Sequence, residues 1–331
     1  MDIPQLLQHY AQRIDDFLQE TIPPQGVDYV SEGVWYQFAS GGKRLRPALC
    51  LLTCEHLGGD PNRAMPFALA AEILHNVFLI HDDIEDGDTI RRDQPTLWVH
   101  LDLPNAINIG DYLTSTAYRL LLRSDLDPAT ILRLVDIYSL TFQKTVEGQA
   151  LDINLRGCDT FDVQQYYRIV QLKTAYYLTF NLVGGAIVAG RDGAVIDQLW
   201  ELGRFLGPAF QIRDDLIDLT NGKGRGGEIG CDIREGKPSI LFAFALERLP
   251  ASAAERQQLL NIIRKPREQT TMSDIHTAIQ IYQELGALNF AAEECNRLVD
   301  QAHSVIDGLP LEDSGKELFR DVSRFMIDRQ T

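Results

Sequence analysis

The sequence predicts an all-α fold, and two observations support that prediction. Apolar residues recur at three- and four-residue intervals along most of the 331 residues, which is the spacing of a buried helix face. Alternating patterns bounded by turn residues, typical of strands, are scarce. We therefore expect helices throughout, in a single domain that covers residues 1–331.

Clusters of Gly, Pro, Asp and Asn divide the chain into successive helices, because these residues cap or interrupt a helix. Each cluster is too short to link separate domains. Residues 221–239 differ, since six glycines precede Lys237. That is too many for a helix, so we predict a long functional loop there. Helix breaks are predicted at residues 21–26, 57–62, 102–105, 123–130, 156–162 and 264–270.

Composition limits the partners of the protein. The chain has 31 basic and 47 acidic residues and a net charge of -16, which argues against nucleic acids and anionic membranes as main partners. Its five cysteines form no CxxC pair, so they indicate neither a disulfide framework nor a zinc site. We find no signal peptide and no long uncharged apolar stretch. These features predict a cytoplasmic protein without a membrane span.

An apolar segment runs into a group of acids in HNVFLIHDDIEDGDTIRR, residues 75–92. In a helix over residues 67–86, positions four apart share one face. That row reads Ala70, Leu74, Phe78, Asp82 and Asp86. Two carboxylates four residues apart repel each other unless a cation lies between them. Magnesium is such a cation, and it completes its ligand shell with water and phosphate oxygens.

The same arrangement occurs in LGPAFQIRDDLIDL, residues 206–219, where the row reads Leu206, Phe210, Asp214 and Asp218. A single DDxxD is more often a solvated acidic face than a metal site. Two copies, each on an apolar segment, favour one metal cluster closed by two helices.

Several basic residues that could hold a phosphate are also clustered in the sequence. The segment GGKRLRP places Lys43 and Arg46 at a predicted helix start, where an anion binds well. Ordinary surface salt bridges remain the alternative for each residue taken singly. The further candidates are Arg91 and Arg92 after the first acidic segment, and Lys173 with Thr174 in LKT.

Five segments in this order resemble the motifs of the trans-prenyl diphosphate synthases, especially the geranylgeranyl diphosphate synthases of eukaryotes and archaea. The resemblance spans about residues 38–245 and implies the isoprenoid synthase fold, with antiparallel helices around a central cavity. It also implies a homodimer and three magnesium ions. The segments are GGKRLRP, HNVFLIHDDIEDGDTIRR, LKT, FQIRDDLIDL and GCDIREGKPS.

The resemblance implies a role for each matching residue. Metal binding falls to Asp82, Asp86, Asp214 and Asp218, with Asp83 and Asp215 in support. An allylic diphosphate would be held by Arg91, Lys173, Gln211 and Lys237, and isopentenyl diphosphate by Lys43, Arg46, His75 and Arg92. Thr174 is a further substrate-binding residue. Catalysis would involve Asp82, Asp83, Asp86, Asp214, Lys173, Thr174 and Gln211.

The implied reaction joins isopentenyl diphosphate head to tail with dimethylallyl, geranyl or farnesyl diphosphate. In this family, bulky residues just before the first acidic motif form a floor that stops elongation. Here Leu74, Val77 and Phe78 occupy that region, so we expect a C15 or C20 product. Phe78 favours C15, and the wider resemblance favours C20.

One departure from the family pattern concerns the loop. Related loops often read GKEIGxD, but Gly227 stands at the lysine position here. Either that contact with diphosphate is lost, or Lys223 or Arg225 supplies it.

Other functions fit less well. A class I terpene cyclase shares the fold but generally has an Asn/Ser/Glu motif in place of the second DDxxD. A ferritin-like di-iron protein needs two ExxH motifs, and only Glu72 with His75 forms one. The GxGxxG pattern at residues 222–227 follows a helical segment and not a strand, so it is weak support for nucleotide binding.

Overall fold

The structure of the protein is a computed structural model that describes residues 3–22, 26–220 and 229–327. Helices dominate these residues, which confirms the all-α prediction. The sheet found among them is one antiparallel hairpin of two-residue strands, β1 (Ile90–Arg91) and β2 (Gln94–Pro95).

The helices follow one another with short connections. A π-helical turn covers Gln171–Ala175, and a 3₁₀ turn covers Arg267–Gln269. In chain order the α-helices are α1 (Ile3–Thr21), α2 (Asp28–Ala39), α3 (Leu45–His56), α4 (Pro61–Glu85), α5 (Leu97–His100), α6 (Leu103–Leu122), α7 (Pro128–Asn154), α8 (Val163–Val170), α9 (Tyr176–Val188), α10 (Ala194–Asp218), α11 (Cys231–Arg234), α12 (Ile240–Arg248), α13 (Ala254–Ile263), α14 (Met272–Glu284), α15 (Ala287–Gly308) and α16 (Asp313–Ile327).

Each of the six predicted breaks overlaps a junction between successive helices, but residues 61–62, 103–105 and 128–130 belong to the first turns of α4, α6 and α7. Local capping explains several of them. The Asp60 carboxylate accepts a hydrogen bond from the N–H of Asn62 at the start of α4, and Asp102 accepts one from Asn105 at the start of α6. Such caps satisfy N–H groups that the first helical turn leaves unpaired. The predicted loop at residues 221–239 is corrected in its described part, which contains the short helix α11. The glycines of this segment had argued against any helix there.

The chain divides into two compact units. Unit 1 comprises Met1–Phe142, Leu178–Trp200 and Leu309–Asp321. Unit 2 comprises Gln143–Tyr177, Glu201–Gly308 and Val322–Thr331. The single-domain prediction stays a prediction beside this division.

Helix α4 forms the centre of unit 1, where it packs against α3 and α6. Its apolar side chains are buried on nearly all sides in the half that precedes the acids, as in a core helix. By length and composition α4 is also the described helix that could cross a membrane, but 78% of its most apolar window is buried inside the structure.

Helix α12 has the corresponding place in unit 2. It packs against α8, α14 and α15, and its residues Ile240 to Leu246 are all buried. The second acidic segment lies at the end of α10, beside the connection that leads into α12. Asp215 of that segment accepts a hydrogen bond from the N–H of Ile240, the first residue of α12.

Candidate active site

The first acidic segment lies at the carboxyl end of α4, in unit 1. Asp82 is half-buried, whereas Asp83 and Asp86 are only 2% and 8% exposed. Asp86 caps the helix, Gly87 takes a positive φ of 67°, and the Asp88 N–H donates to the Asp83 carbonyl at 2.8 Å. This is a Schellman ending. The predicted row of Leu74, Phe78, Asp82 and Asp86 therefore continues to the end of the helix.

Asp83 is held by the arginine that follows the helix. Arg91 Nε lies 2.5 Å from Asp83 Oδ1, and Arg91 Nη2 lies 3.7 Å from Asp88 Oδ2. Burial raises the pKa of Asp83 to about 6, and the positive charge of Arg91 opposes that rise. The carboxylate is thus mostly ionised at neutral pH, and its pairing with Arg91 fixes the hairpin to the helix end.

The tip of the β1–β2 hairpin carries Arg92. Arg92 and Asp93 have φ values of 52° and 61°, as a two-residue type I′ turn requires. Residues other than glycine seldom adopt this conformation, and such strain concentrates at functional sites. Arg92 Nη1 donates to the Gly41 carbonyl and lies 3.4 Å from Ser40 Oγ. The hairpin tip is thereby attached to the GGKRLRP segment.

The GGKRLRP segment enters α3 through a left-handed residue. Arg44 has φ 45° and stands at the N-cap position. Its guanidinium is buried, whereas Lys43 is exposed and Arg46 is half-buried in the first turn of α3. A methyl group at Gly42 would lie 3.3 Å from nitrogens of both Arg44 and Arg92, so glycine permits their close approach.

His75 lies in the electrostatic field of these arginines. Burial lowers the pKa of His75 well below its usual range, and the positive charges of Arg46, Arg92 and Arg91 lower it further. The ring is therefore neutral at neutral pH and offers one donor and one acceptor. The structure thus gathers Arg46, His75 and Arg92, and Lys43 lies on the same loop.

The second acidic segment ends α10, in unit 2. Asp214 is half-buried, and Asp215 and Asp218 are buried. Asp215 accepts hydrogen bonds from Gln211 Nε2 and from the Ile240 N–H, both at 3.1 Å. Asp218 Oδ2 accepts one from the Asp232 N–H at 3.1 Å. Asp215 is thus anchored to the start of α12, and its supporting role stays a prediction.

Lys173 and Thr174 lie in the π-helical turn, where the Tyr176 N–H donates to the Gln171 carbonyl. Such turns are frequent at functional sites. Lys173 Nζ lies 3.4 Å from Asp152 Oδ2, and Thr174 Oγ1 lies 3.1 Å from Gln211 Oε1. A chain of hydrogen bonds therefore joins Thr174 to Gln211 and on to Asp215.

Lys237 follows α11 in a second Schellman ending. Gly236 has φ 66°, and the Lys237 N–H donates to the Asp232 carbonyl at 2.8 Å. The ammonium group lies 2.6 Å from Glu235 Oε2. The predicted alternatives Lys223 and Arg225, with Gly227, lie outside the described residues.

Two ion-pair partners near the candidate site were missed by the sequence analysis. Arg44 and Asp152 hold Glu72 and Lys173 respectively. Arg44 belongs to the GGKRLRP segment, but its residue type does not distinguish it from Lys43 or Arg46. Asp152 lies in no recognised motif.

The predicted floor residues lie below the first acidic segment. Leu74 and Val77 are fully buried. The Phe78 ring lies 5.4 Å from the Phe142 ring of α7, centroid to centroid. Phe78 is one helical turn from Asp82, about 5.4 Å along the axis.

The acids at both helix ends fit a divalent metal by the chemistry of their oxygen donors. In the parts of the chain with described coordinates, no three His, Cys, Asp or Glu side chains form a ready-made metal-binding group. Each segment offers one half-buried carboxylate, on Asp82 and Asp214, with a buried neighbour held in place. Each helix end is therefore suited by itself to share a metal ion with phosphate oxygens.

The fold is that of the isoprenoid synthases. The solved geranylgeranyl pyrophosphate synthetase from Pyrococcus horikoshii matches with a TM-score of 0.88 and 30% identity over 98% of each chain. Two helices that end in DDxxD, with arginines after the first, fit the enzymes of this class.

The model of the polyprenyl synthetase family matches residues 27–282, and the chain belongs to that family. It is a prenyltransferase of isoprenoid biosynthesis. The short chain isoprenyl diphosphate synthase of Methanothermobacter thermautotrophicus is 31% identical over 100% of this chain and 99% of its own. The geranylfarnesyl diphosphate synthase of Natronomonas pharaonis is 28% identical over 96% and 94%.

Proposed function

We propose that the protein is a short-chain all-trans prenyl diphosphate synthase that forms a C15 or C20 product from isopentenyl diphosphate and allylic diphosphates. The observation that carries the proposal is the pair of DDxxD helix ends. In each, the middle acid is held by the protein, Asp83 by Arg91 and Asp215 by Gln211. This leaves the first acid of each motif, Asp82 and Asp214, as the half-buried one.

Asp82, Asp86, Asp214 and Asp218 would hold magnesium, with three ions expected from the family resemblance. Bound magnesium would supply positive charge against the departing diphosphate. The protein contributes the positions of the carboxylates, which the Schellman ending and the bonds to Asp83 and Asp215 fix in advance. Such preorganisation is what makes electrostatic stabilisation effective.

The residues that could bind phosphate form two groups, one for each diphosphate. Lys43, Arg46 and Arg92, with neutral His75, would bind isopentenyl diphosphate in unit 1. Arg91, Lys173, Thr174, Gln211 and Lys237 would bind the allylic diphosphate.

In the reaction, the bond between C1 of the allylic chain and its diphosphate oxygen breaks, and the diphosphate leaves with the electron pair. The double bond of isopentenyl diphosphate forms the new bond to C1, and a proton is then lost. Water would quench the allylic cation, so the apolar side chains below Asp82 serve to exclude it.

Replacement of Phe78 by alanine is expected to lengthen the main product by at least one five-carbon unit. The change removes the ring that packs against Phe142 one turn below Asp82, and so deepens the apolar space for the growing chain. Mass spectrometry of the products measures the shift. Phe319→Ala is the matched control, because its ring contacts His56 and not the acidic segment. An unchanged product from Phe78→Ala would exclude Phe78 as the floor.

A homodimer is part of the proposal. Exposed apolar side chains lie along α6 and the first half of α7. Such a surface is typical of a protein–protein interface, so we place the dimer interface there. Light scattering is expected to give twice the 37.3 kDa of one chain, and Ile107→Asp to lower that mass. Met272→Asp, a change at an exposed residue elsewhere, should leave it unchanged. A wild-type mass of one chain would contradict the dimer. The exposed residues are Leu103, Ile107, Tyr112, Leu122 and Leu132.

The two alternatives have less support. A terpene cyclase has no need for the cations gathered around His75. A di-iron site would use Glu72 and His75, but Glu72 forms an ion pair with Arg44 at 2.8 Å.

The deciding experiment incubates the purified protein with magnesium, isopentenyl diphosphate and, separately, C5, C10 and C15 allylic diphosphates. Mass spectrometry should detect elongated diphosphates, whose longest major member identifies the product. Cyclic or hydrolysed terpenes without elongation would assign the protein to the cyclases. No turnover of any primer would refute the proposed function.

A further inference from the structure

Arg44 belongs to the GGKRLRP segment, and its guanidinium is buried, whereas that of Arg46 is half-buried. Arg44 Nη1 lies 2.8 Å from Glu72 Oε1, and Arg44 Nε lies 2.9 Å from Asp15 Oδ1. Its Nη2 also donates to the Phe38 carbonyl at 3.2 Å. The guanidinium is thus directed into the protein by three acceptors, although its sequence neighbour Lys43 is exposed.

Glu72 is a buried carboxylate beneath several cations. It is 2% exposed, and its close ion pair is the one with Arg44. Asn76 Nδ2 lies 3.4 Å from the same oxygen, Glu72 Oε1. Burial raises the pKa of Glu72, and Coulombic attraction to Arg44, Arg46 and Arg92 opposes that rise. A buried carboxylate needs a close positive partner.

Glu72 therefore lies in the field of three arginines, and Arg44 is the one that forms an ion pair with it at 2.8 Å. Without Arg44, Glu72 would draw in the other cations whose charge acts on it, since an unpaired buried charge is costly. Those cations are Arg46 and Arg92, the two arginines assigned to isopentenyl diphosphate.

We propose that Arg44 is a positioning residue that occupies Glu72 and so keeps Arg46 and Arg92 directed at the diphosphate. This inference rests on the anion site of the proposed function. It adds a role for two residues, Arg44 and Glu72, to which the proposed function assigns none. In this arrangement Glu72 holds the GGKRLRP segment in place only while Arg44 is present to pair with it.

A different explanation would be a simple long-range field, in which each charge adds to or subtracts from the attraction of an anion. The two explanations differ in a double-mutant cycle. In a pure field, Glu72→Gln should tighten anion binding by as much as Arg44→Gln weakens it. If Glu72 instead captures Arg46 or Arg92, the loss in Arg44→Gln depends on the presence of Glu72.

The test is calorimetric titration of the full-length protein with inorganic pyrophosphate in the absence of divalent metal. Arg44→Gln is expected to raise the Kd by about 10-fold or more. Glu72→Gln should leave the Kd within about threefold of wild type, and Arg44→Gln with Glu72→Gln should return close to wild type. Arg63→Gln is the matched control, since Arg63 is exposed at the other end of α4.

Thermal unfolding of each variant separates positioning from stability. If Arg44 only supports the fold, pyrophosphate affinity should follow the melting temperature across the series. Additive effects of the two changes, equal affinity of Arg44→Gln and wild type, or a double variant as weak as Arg44→Gln would each overturn the inference. So would an absence of pyrophosphate binding by the wild type.

Failure here is distinguishable from failure of the proposed function. Pyrophosphate titration needs no turnover, so the expected affinities without elongation of any primer would refute the synthase and retain the role of Arg44. Elongation by the wild type, with unchanged affinity in Arg44→Gln, would refute the role of Arg44 alone.

Discussion

Asp82→Asn and Asp214→Asn are each expected to lower kcat by about 10³-fold and to leave the fold intact. Asparagine keeps the size of the side chain but removes the charge that a magnesium ion needs. Both acids are half-buried, so the loss of their charge should have little effect on the stability of the fold. Steady-state kinetics with saturating magnesium measures kcat, and circular dichroism verifies the helix content.

Asp83→Asn and Asp111→Asn are the matched controls, because Asp83 is buried and paired with Arg91 and Asp111 lies on a different helix. Asp83→Asn breaks the ion pair between Asp83 Oδ1 and Arg91 Nε, which lie 2.5 Å apart. The Arg91 side chain is 22% exposed. We expect that change to lower the free energy of unfolding by about 2 kcal/mol and to reduce kcat less than Asp82→Asn does. Asp111→Asn, at an exposed site on α6, should change neither quantity. Equal kcat losses in Asp82→Asn and Asp111→Asn would contradict the assignment of Asp82 to the metal.

The helix boundaries could be predicted from the sequence because they depend on local chemistry. Asp60 and Asp102 cap helices with their own side chains, and Gly87 ends α4 by adopting a positive φ. The hairpin at Ile90–Pro95 was missed. Its strands are two residues long, and its turn uses Arg92 and Asp93 where Asn-Gly is the usual signal.

The candidate site was only partly predictable for a related reason. The acids stand out because helix periodicity places Asp82 and Asp86 on one face. The burial of Arg44 beside the exposed Lys43 cannot be read from GGKRLRP, since it accompanies the left-handed backbone of Arg44. The π-helical turn at Gln171–Ala175 depends on packing against helices distant in sequence, which no local pattern records.

Glycines on two helices allow that packing. A methyl group at Gly148 of α7 would lie 2.4 Å from the backbone nitrogen of Lys173. One at Gly207 of α10 would lie 2.5 Å from the Ala175 Cα. The backbone on either side of Thr174 is therefore held between two helices that approach it more closely than any other residue type would permit.

Gly148→Ala is accordingly expected to lower kcat/KM by about 10²-fold, because a displacement near 1 Å at Lys173 and Thr174 misplaces the groups aimed at the allylic diphosphate. Overpacking should also lower the free energy of unfolding by about 1–3 kcal/mol. Urea denaturation measures the second quantity, and kinetics with a fixed allylic primer measures the first.

Gly59→Ala separates these two effects. A methyl group at Gly59 would lie 2.8 Å from the Ala189 Cα and 2.7 Å from Cys54 Sγ, so its steric conflict resembles that at Gly148. Gly59 precedes α4 at the end opposite the acids. We expect a similar loss of stability there with kcat/KM within about twofold of wild type. Parallel losses of activity in both variants would mean that the π-helical turn has no special role. A loss confined to Gly148→Ala would show that close packing of α7 against this turn sets the position of Lys173 and Thr174.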